Sequence, residues 1–130
     1  LGAASVTTPQ DFTIHPRLAK LFVKNRNKLM DNLHDAHLDW ATCEAIAFGS
    51  LLDEGYDVRL TGQDVGRGTY SHRHAVLTDN VTAKKYVPLN NLHKDQGQFH
   101  VINSPLTELA SMAFEYGYSI ETPNTLVMWE

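Results

Sequence analysis

Several things are scarce in this sequence, and each scarcity excludes something. A single cysteine, Cys43, cannot close an internal disulfide, so a reducing compartment fits better than secretion. No apolar run exceeds a few residues, so no segment reads as a membrane-spanning helix. Basic residues are in the minority, 11 Lys and Arg against 15 Asp and Glu, for a formal charge of −4. A general nucleic-acid binder, whose affinity rests on neutralising phosphates, is therefore excluded. There is no internal repeat, no low-complexity tract and no signal-like or transit-like segment. Leu1 stands where a Met would start a chain, and Trp129-Glu130 follows an apolar run directly, so both ends read as cut within a longer protein.

What is present is ordinary globular material. One hundred and thirty residues, 42% hydrophobic and 20% charged, suffice for one domain that buries roughly two-thirds of its surface. Residues 1–13 read as an irregular lead-in, and a helix is expected to begin near Pro16, where proline suits the first turn. Leu18, Leu21, Phe22, Leu29 and Leu33 recur near helical spacing, with Lys20, Lys24, Arg26 and Lys28 on the remaining surface. Residues 31–39 read as a connection. Asp39 is a plausible N-cap for a second helix that Gly55 would terminate. Val58 to Thr61 reads as a strand ended by Gly62, and Tyr86 to Leu89 as a weak extended segment, with Pro88 against a central position. Phe99 to Ile102 is a strand candidate. Ser104 and Pro105 then suit the cap and first position of a helix carrying Leu106, Leu109, Ala110, Ala113, Phe114 and Gly117 on one face. Leu126 to Trp129 reads as a buried strand, which would complete a βαβ unit with a parallel strand pair.

Five features invite chemistry. His72 and His74 would share one face of a strand, and His34, His37 and Cys43 could add metal ligands, since seven histidines is a high count. No His-Glu-x-x-His or Cys-x-x-Cys spacing supports this, so hydrogen-bonding or substrate-orienting histidines are preferred and no metal site is assigned. Residues 62–69 are glycine-rich but lack a terminal Gly-Lys-Ser/Thr, which favours a shaped loop over a phosphate cradle. The stretch Lys24 to Lys28 reads as a solvated helix face rather than a contact for an acidic partner, and Cys43 as a buried thiol. Glu108 falls in the first turn of a helix after a strand, at the carboxyl edge of a parallel sheet, where ligands of open α/β sheets bind. A carboxylate there equally well complements the helix dipole, and spacing alone leaves both readings open.

The strings LDWATCEAIAFGSLLDEG, VRLTGQDVGRGTYSHRHAVL, YVPLNNL and INSPLTELASMAFEYGYSIETPNTLVMWE, in that order, settle more. Over residues 38–130 the sequence resembles the first, decarboxylating component of the thiamine-diphosphate-dependent 2-oxoacid dehydrogenases of the 2-oxoglutarate type, within its pyrimidine-binding domain. Some of the wording leans toward the 2-oxoadipate-preferring relatives. The resemblance implies an α/β fold, a Rossmann-like three-layer parallel sheet of the transketolase-like kind, over residues 38–130, incomplete at its C-terminal side and preceded by a lead-in and helix over 1–37. It implies thiamine diphosphate as cofactor, with Mg2+ bound by a domain outside these residues. Glu108 is then the carboxylate that shares a proton with a ring nitrogen of the cofactor's aminopyrimidine and so activates it; Thr107 replaces the family's usual serine. Leu106 and Asp64 are implied cofactor contacts, and His72 or His74 active-site groups, while Asp64 and Arg67 might instead form a buried ion pair that shapes the loop.

The same resemblance implies a homodimer across the cofactor site, with dihydrolipoyl acyltransferase and dihydrolipoyl dehydrogenase as partners in a multienzyme complex. It places the enzyme in the tricarboxylic acid cycle or lysine degradation, in a mitochondrial matrix or, alternatively, a bacterial cytoplasm. These residues alone would not turn over substrate. A rival reading is a non-catalytic dimerisation or scaffold module of the same fold. Either would leave an apolar partner-facing surface exposed.

Overall fold

The computed structural model describes residues 1–31 and 37–130. Leu33 and His34, included in the expected helix stripe and metal set, lie outside the described residues.

His15 opens the first helical stretch by accepting the Arg17 N–H on its side chain, with Pro16 in the first position. Helix α1 (Pro16–Leu18) runs through a π-helical turn (Ala19–Val23) into α2 (Lys24–Asp31). The expected solvated basic face is only partly so. Lys24 is exposed, but Arg26 turns inward and donates to Ser5 Oγ at 3.1 Å. The lead-in is anchored too: Ser5 and Val6, in a 3-10 turn, are buried.

Helix α3 (Trp40–Asp53) starts where Asp39 accepts the Thr42 N–H at 2.7 Å. It ends in a Schellman motif: Gly55, at φ +87°, donates to Leu52 O, and Tyr56 donates to Leu51 O. Its buried stripe is Thr42, Ala45, Phe48, Gly49 and Leu52, which leaves Cys43 on the exposed side rather than buried as expected.

Strand β1 (Asp57–Gly62) is the centre of a three-stranded parallel sheet in the order β4-β1-β5, with β4 at Phe99–Asn103 and β5 at Thr125–Trp129. The expected strand–helix–strand unit is present, but its strands do not pair with each other. They flank β1, because Val58 and Leu60 on that strand are the buried residues that need neighbours on both sides. Strand β5 is accordingly an edge strand, half-exposed rather than buried. A small antiparallel ladder, β2 (Leu77–Thr78) with β3 (Lys85–Tyr86), stands apart. Beyond β3 the weak extended segment gives way at Pro88 to a 3-10 turn (Pro88–Asn91).

Alternation along β1 creates the layers. Val58 and Leu60 pack with Phe48, Leu52, Leu89 and Phe99 on the α3 side. Arg59 points the other way, toward α4 (Glu108–Glu121), where Glu115 receives its Nε and Nη2 at 2.6 and 2.9 Å. The Tyr118 ring lies 4.3 Å from the same guanidinium. Helices therefore cover both faces of the sheet, as a three-layer α/β fold requires.

Helix α4 departs from expectation twice. It begins at Glu108 with Thr107 at the cap, since Ser104 is drawn into the preceding turn, where its N–H bonds Gly62 O and its Oγ accepts from Leu106 N–H and Ser111 Oγ. Its apolar stripe also faces outward: Leu109 is 72% exposed, Phe114 is exposed as well, and the inward residues are Ser111 and Glu115. The half-buried Arg59 recruits the polar side of the helix.

Asp79 ties the lead-in to the β2–β3 connection. Its carboxylate accepts the N–H groups of Thr82, Thr13 and Val81, which together hold its pKa at about 2 against an ordinary 3.8. A carboxyl depressed in the folded state stabilises above its unfolded pKa and loses that contribution as pH falls through the folded value. Urea midpoints are thus expected to drop between about pH 4 and pH 2, and to drop less steeply in Asp79→Asn.

Candidate functional site

The carboxyl ends of the three parallel strands, at Gly62, Asn103 and Trp129, form one edge. They are stitched together there: Ser104 N–H donates to Gly62 O at 2.7 Å and Glu130 N–H to Thr61 O at 2.9 Å. Gly62 permits this approach, because a Cβ at that position would stand 1.9 Å from the Glu130 carbonyl oxygen. Val65 N–H reaches Asn103 Oδ1 at 3.1 Å, pinning the long loop that follows β1 over the edge.

That loop, residues 63–76, is held by its own backbone. Asp64 O accepts from Arg67 and Gly68, Arg67 O from Arg73 and His74, and Gly66 O from Ala75. Asp64, Ser71 and His74 take positive φ values, so the histidines sit in irregular chain and not on one strand face as expected. The Asp64–Arg67 ion pair exists, at 2.5 Å, but it is exposed rather than buried. Gly68, at φ +80°, makes room for His72, whose ring would lie 2.5 Å from any Cβ placed there.

Arg73 is the pin of the loop. It is 8% exposed and donates to Glu44 through Nε and Nη2 at 2.6 and 3.0 Å, to Val65 O at 2.8 Å, and to Glu130. Burial pushes the Glu130 carboxyl up, but the Arg73 guanidinium outweighs it and holds that carboxyl below its usual range. Thr69 Oγ1 also donates to Glu130, at 3.2 Å. A loop, helix α3 and the residue after β5 are thus locked at one guanidinium.

On either side of that pin, His72 and His74 face a cleft of about 1070 Å³. Among the described residues, buried His72 Nδ1 has no hydrogen-bond partner, a polar atom left available within the site. His74 packs edge-on to Phe22 at 5.0 Å. Burial, together with the nearby charges of Arg67, Arg26 and His72, keeps its pKa below the ordinary value despite a backbone hydrogen bond at Ser71. A neutral imidazole is the form able to accept a proton. A second cleft, about 760 Å³, adjoins through His74 and is lined by Asp64, Arg67 and Asn103.

Glu108 is the first residue of α4 at the same sheet edge, exposed, with Leu106 half-exposed on the preceding turn. Neither residue lines either cleft. The fold therefore joins His72, His74 and, through the second cleft, Asp64, and sets Glu108 and Leu106 apart from them on open surface. Among the described residues, no three His, Cys, Asp or Glu side chains gather in a way that could hold a metal ion.

Sequence reasoning missed Arg26, Glu44, Arg73 and Glu130. Arg73 stood between two noticed histidines, but nothing in the chain marks Glu44 or Glu130, 29 and 57 residues away, as its partners.

Residues 36–130 match the family model described as the transketolase pyrimidine binding domain. Over all 130 residues the chain is 49% identical to the 2-oxoglutarate dehydrogenase E1 component of Rickettsia felis, and 48% identical to those of Rickettsia conorii and Brucella anthropi. It spans only 13–14% of the length of these relatives.

Proposed function

The chain belongs to the transketolase pyrimidine-binding domain family, and from that premise we propose that it serves the decarboxylating component of a 2-oxoglutarate dehydrogenase. The observation that carries this reading is a free carboxylate, Glu108, on the first residue of the helix after β4, at the carboxyl edge of a parallel sheet. The names of the relatives favour this over a scaffold module, and favour 2-oxoglutarate over 2-oxoadipate. They are bacterial, which supports a bacterial cytoplasm and gives a mitochondrial matrix or a lysine-degradation role no support. Among the described residues no helix is long and apolar enough to cross a membrane.

Thiamine diphosphate suits the donor set. An exposed carboxylate with no guanidinium or ammonium paired to it is able to share a proton with an aromatic nitrogen, and among the described residues Glu108 is such a group. When bound, the cofactor supplies the electron sink that decarboxylation of a 2-oxo acid needs. Glu108 would hold its aminopyrimidine, with Leu106 on the turn before it, while the diphosphate and its Mg2+ fall to parts of the protein outside these residues. The Glu108 carboxyl oxygen would accept a hydrogen bond from, and share a proton with, the ring nitrogen. His72 and His74 orient the acid, with Arg73 holding the backbone that carries them.

Because Glu108 and the apolar face of α4 (Leu109, Met112, Tyr116, Ile120) lie on open surface, the cofactor and a second copy of the polypeptide would approach from outside. The acyltransferase and dihydrolipoyl dehydrogenase would complete the complex. The test is CO2 release from 2-oxoglutarate by the intact polypeptide with an artificial electron acceptor. Turnover that requires added thiamine diphosphate is the expected result, and none under those conditions overturns the reading.

A further inference from the structure

Three arginines turn inward in this fold, Arg26 and Arg73 buried and Arg59 half-buried, and two of them are fully paired. Arg59 holds Glu115 and Arg73 holds Glu44, each through two nitrogens. Arg26 is the exception. It is 4% exposed, yet among the described residues its polar contact is one hydrogen bond, from Nη1 to Ser5 Oγ, and its guanidinium lies over the Phe22 ring at 4.4 Å. Among the described residues no carboxylate forms an ion pair with it. Glu44 is engaged by Arg73, and Asp39 spends Oδ1 on capping α3. Burial lowers the pKa of Arg26, and the more distant charges of Asp39 and Glu44 only partly offset this. A buried charge is costly when unpaired, and with no bonded carboxylate among the described residues its retention points to an anion supplied from elsewhere.

The surroundings show where the anion would sit. Arg26 lines the larger cleft, whose charged and titratable walls are Arg17, His15, His72 and His74, with Asp39 as the one carboxylate among the described lining residues. Leu18, Leu21, Phe22 and Trp40 supply apolar wall between them. That combination suits a short aliphatic chain ending in an anion. Phe22 touches both His74, at 5.0 Å, and the Arg26 guanidinium, so the cation lies one aromatic ring away from the histidine loop.

We propose that Arg26 is a specificity-determining residue of this site, its guanidinium receiving the carboxylate of the substrate that is farthest from the 2-oxo group. The proposal rests on the 2-oxo acid decarboxylase reading and names what would make that site prefer a dicarboxylate. A planar fork suits a carboxylate, and the apolar wall leaves a monocarboxylate chain without a partner for the charge.

The intact polypeptide is assayed with 2-oxoglutarate and with the monocarboxylate 2-oxobutyrate, and glutarate serves as a non-reacting probe in equilibrium binding. Arg26→Gln is expected to raise KM for 2-oxoglutarate on the order of 30-fold or more, with kcat near wild type. Glutarate affinity should fall by the same factor, and kcat/KM for 2-oxobutyrate should move by less than about threefold. Arg26→Lys, which keeps the charge without the fork, should raise KM for 2-oxoglutarate by roughly tenfold and leave 2-oxobutyrate alone. If Arg26→Gln does not fold, the Lys variant decides by the same ratio. Equal losses on both acids, unchanged selectivity, or weakened thiamine diphosphate binding in place of weakened glutarate binding would each overturn the proposal. Failure of the activity reading looks different: the wild type turns over neither acid, and the pocket is then judged by glutarate binding alone.

Discussion

On the proposed function, Glu108→Gln in the intact polypeptide is expected to lose decarboxylation by on the order of 10²- to 10⁴-fold, the usual weight of a positioned group that handles a proton. Gln preserves size and hydrogen bonding but cannot share a proton with a ring nitrogen. Folding should hardly change, because Glu108 is exposed at the start of α4. The loss of a favourable charge at the helix N-terminus costs about 0.3–1 kcal/mol. The two readings of this residue left open by the sequence are thereby separated. A carboxylate that only complements the helix dipole predicts slightly lower stability and near-normal turnover. Paired measurements of turnover and thermal midpoint on Glu108→Gln decide, and near-wild-type rates would remove the cofactor role.

The second large effect belongs to the pair beneath α4. Arg59 and Glu115 are bonded through two N–H groups, their side chains only 13% and 5% exposed, and the Glu115 hydrogen bond raises the Arg59 pKa above its ordinary value. Glu115→Ala leaves that guanidinium between the sheet and the Tyr118 ring without a counter-ion, and should destabilise the chain by about 3 kcal/mol or more. Replacing both partners by apolar residues, Arg59→Met with Glu115→Leu, removes the desolvation cost of both ions, so the double variant should lie within about 1 kcal/mol of wild type or above it. Urea unfolding of the wild type, Glu115→Ala and the double variant measures both numbers. A double variant as unstable as Glu115→Ala would show that the site needs the charges themselves.

This pair also explains where sequence reasoning about α4 went astray. Leu109, Ala113 and Phe114 read as a core stripe, because apolar periodicity reports which face is greasy and not what covers it. One charged residue on β1, Arg59, decides otherwise: alternation aims it at α4, and only the Ser111–Glu115 side of the helix can answer it. The start of the same helix moved for a similar reason. Ser104 has the right chemistry for a cap, but its N–H is taken by Gly62 O across the sheet edge, so the helix begins at Thr107 and Glu108. Cys43 and Arg26 follow the pattern, each placed by what its helix meets and not by its own polarity.

What the sequence by itself determined is local. Asp39 caps α3, Gly55 ends it at positive φ, and β1 and β4 form where β-branched and apolar residues cluster, because these depend on a few neighbouring residues and on backbone sterics. The long motifs also carried the family. The tertiary structure alone decided the strand order that puts β1 in the middle, the union of Arg73 with Glu44 and Glu130, and the burial of Arg26 beside Phe22. Each joins groups far apart in the chain, and the free energy of pairing or isolating a buried charge is set by three-dimensional neighbours that no local pattern encodes.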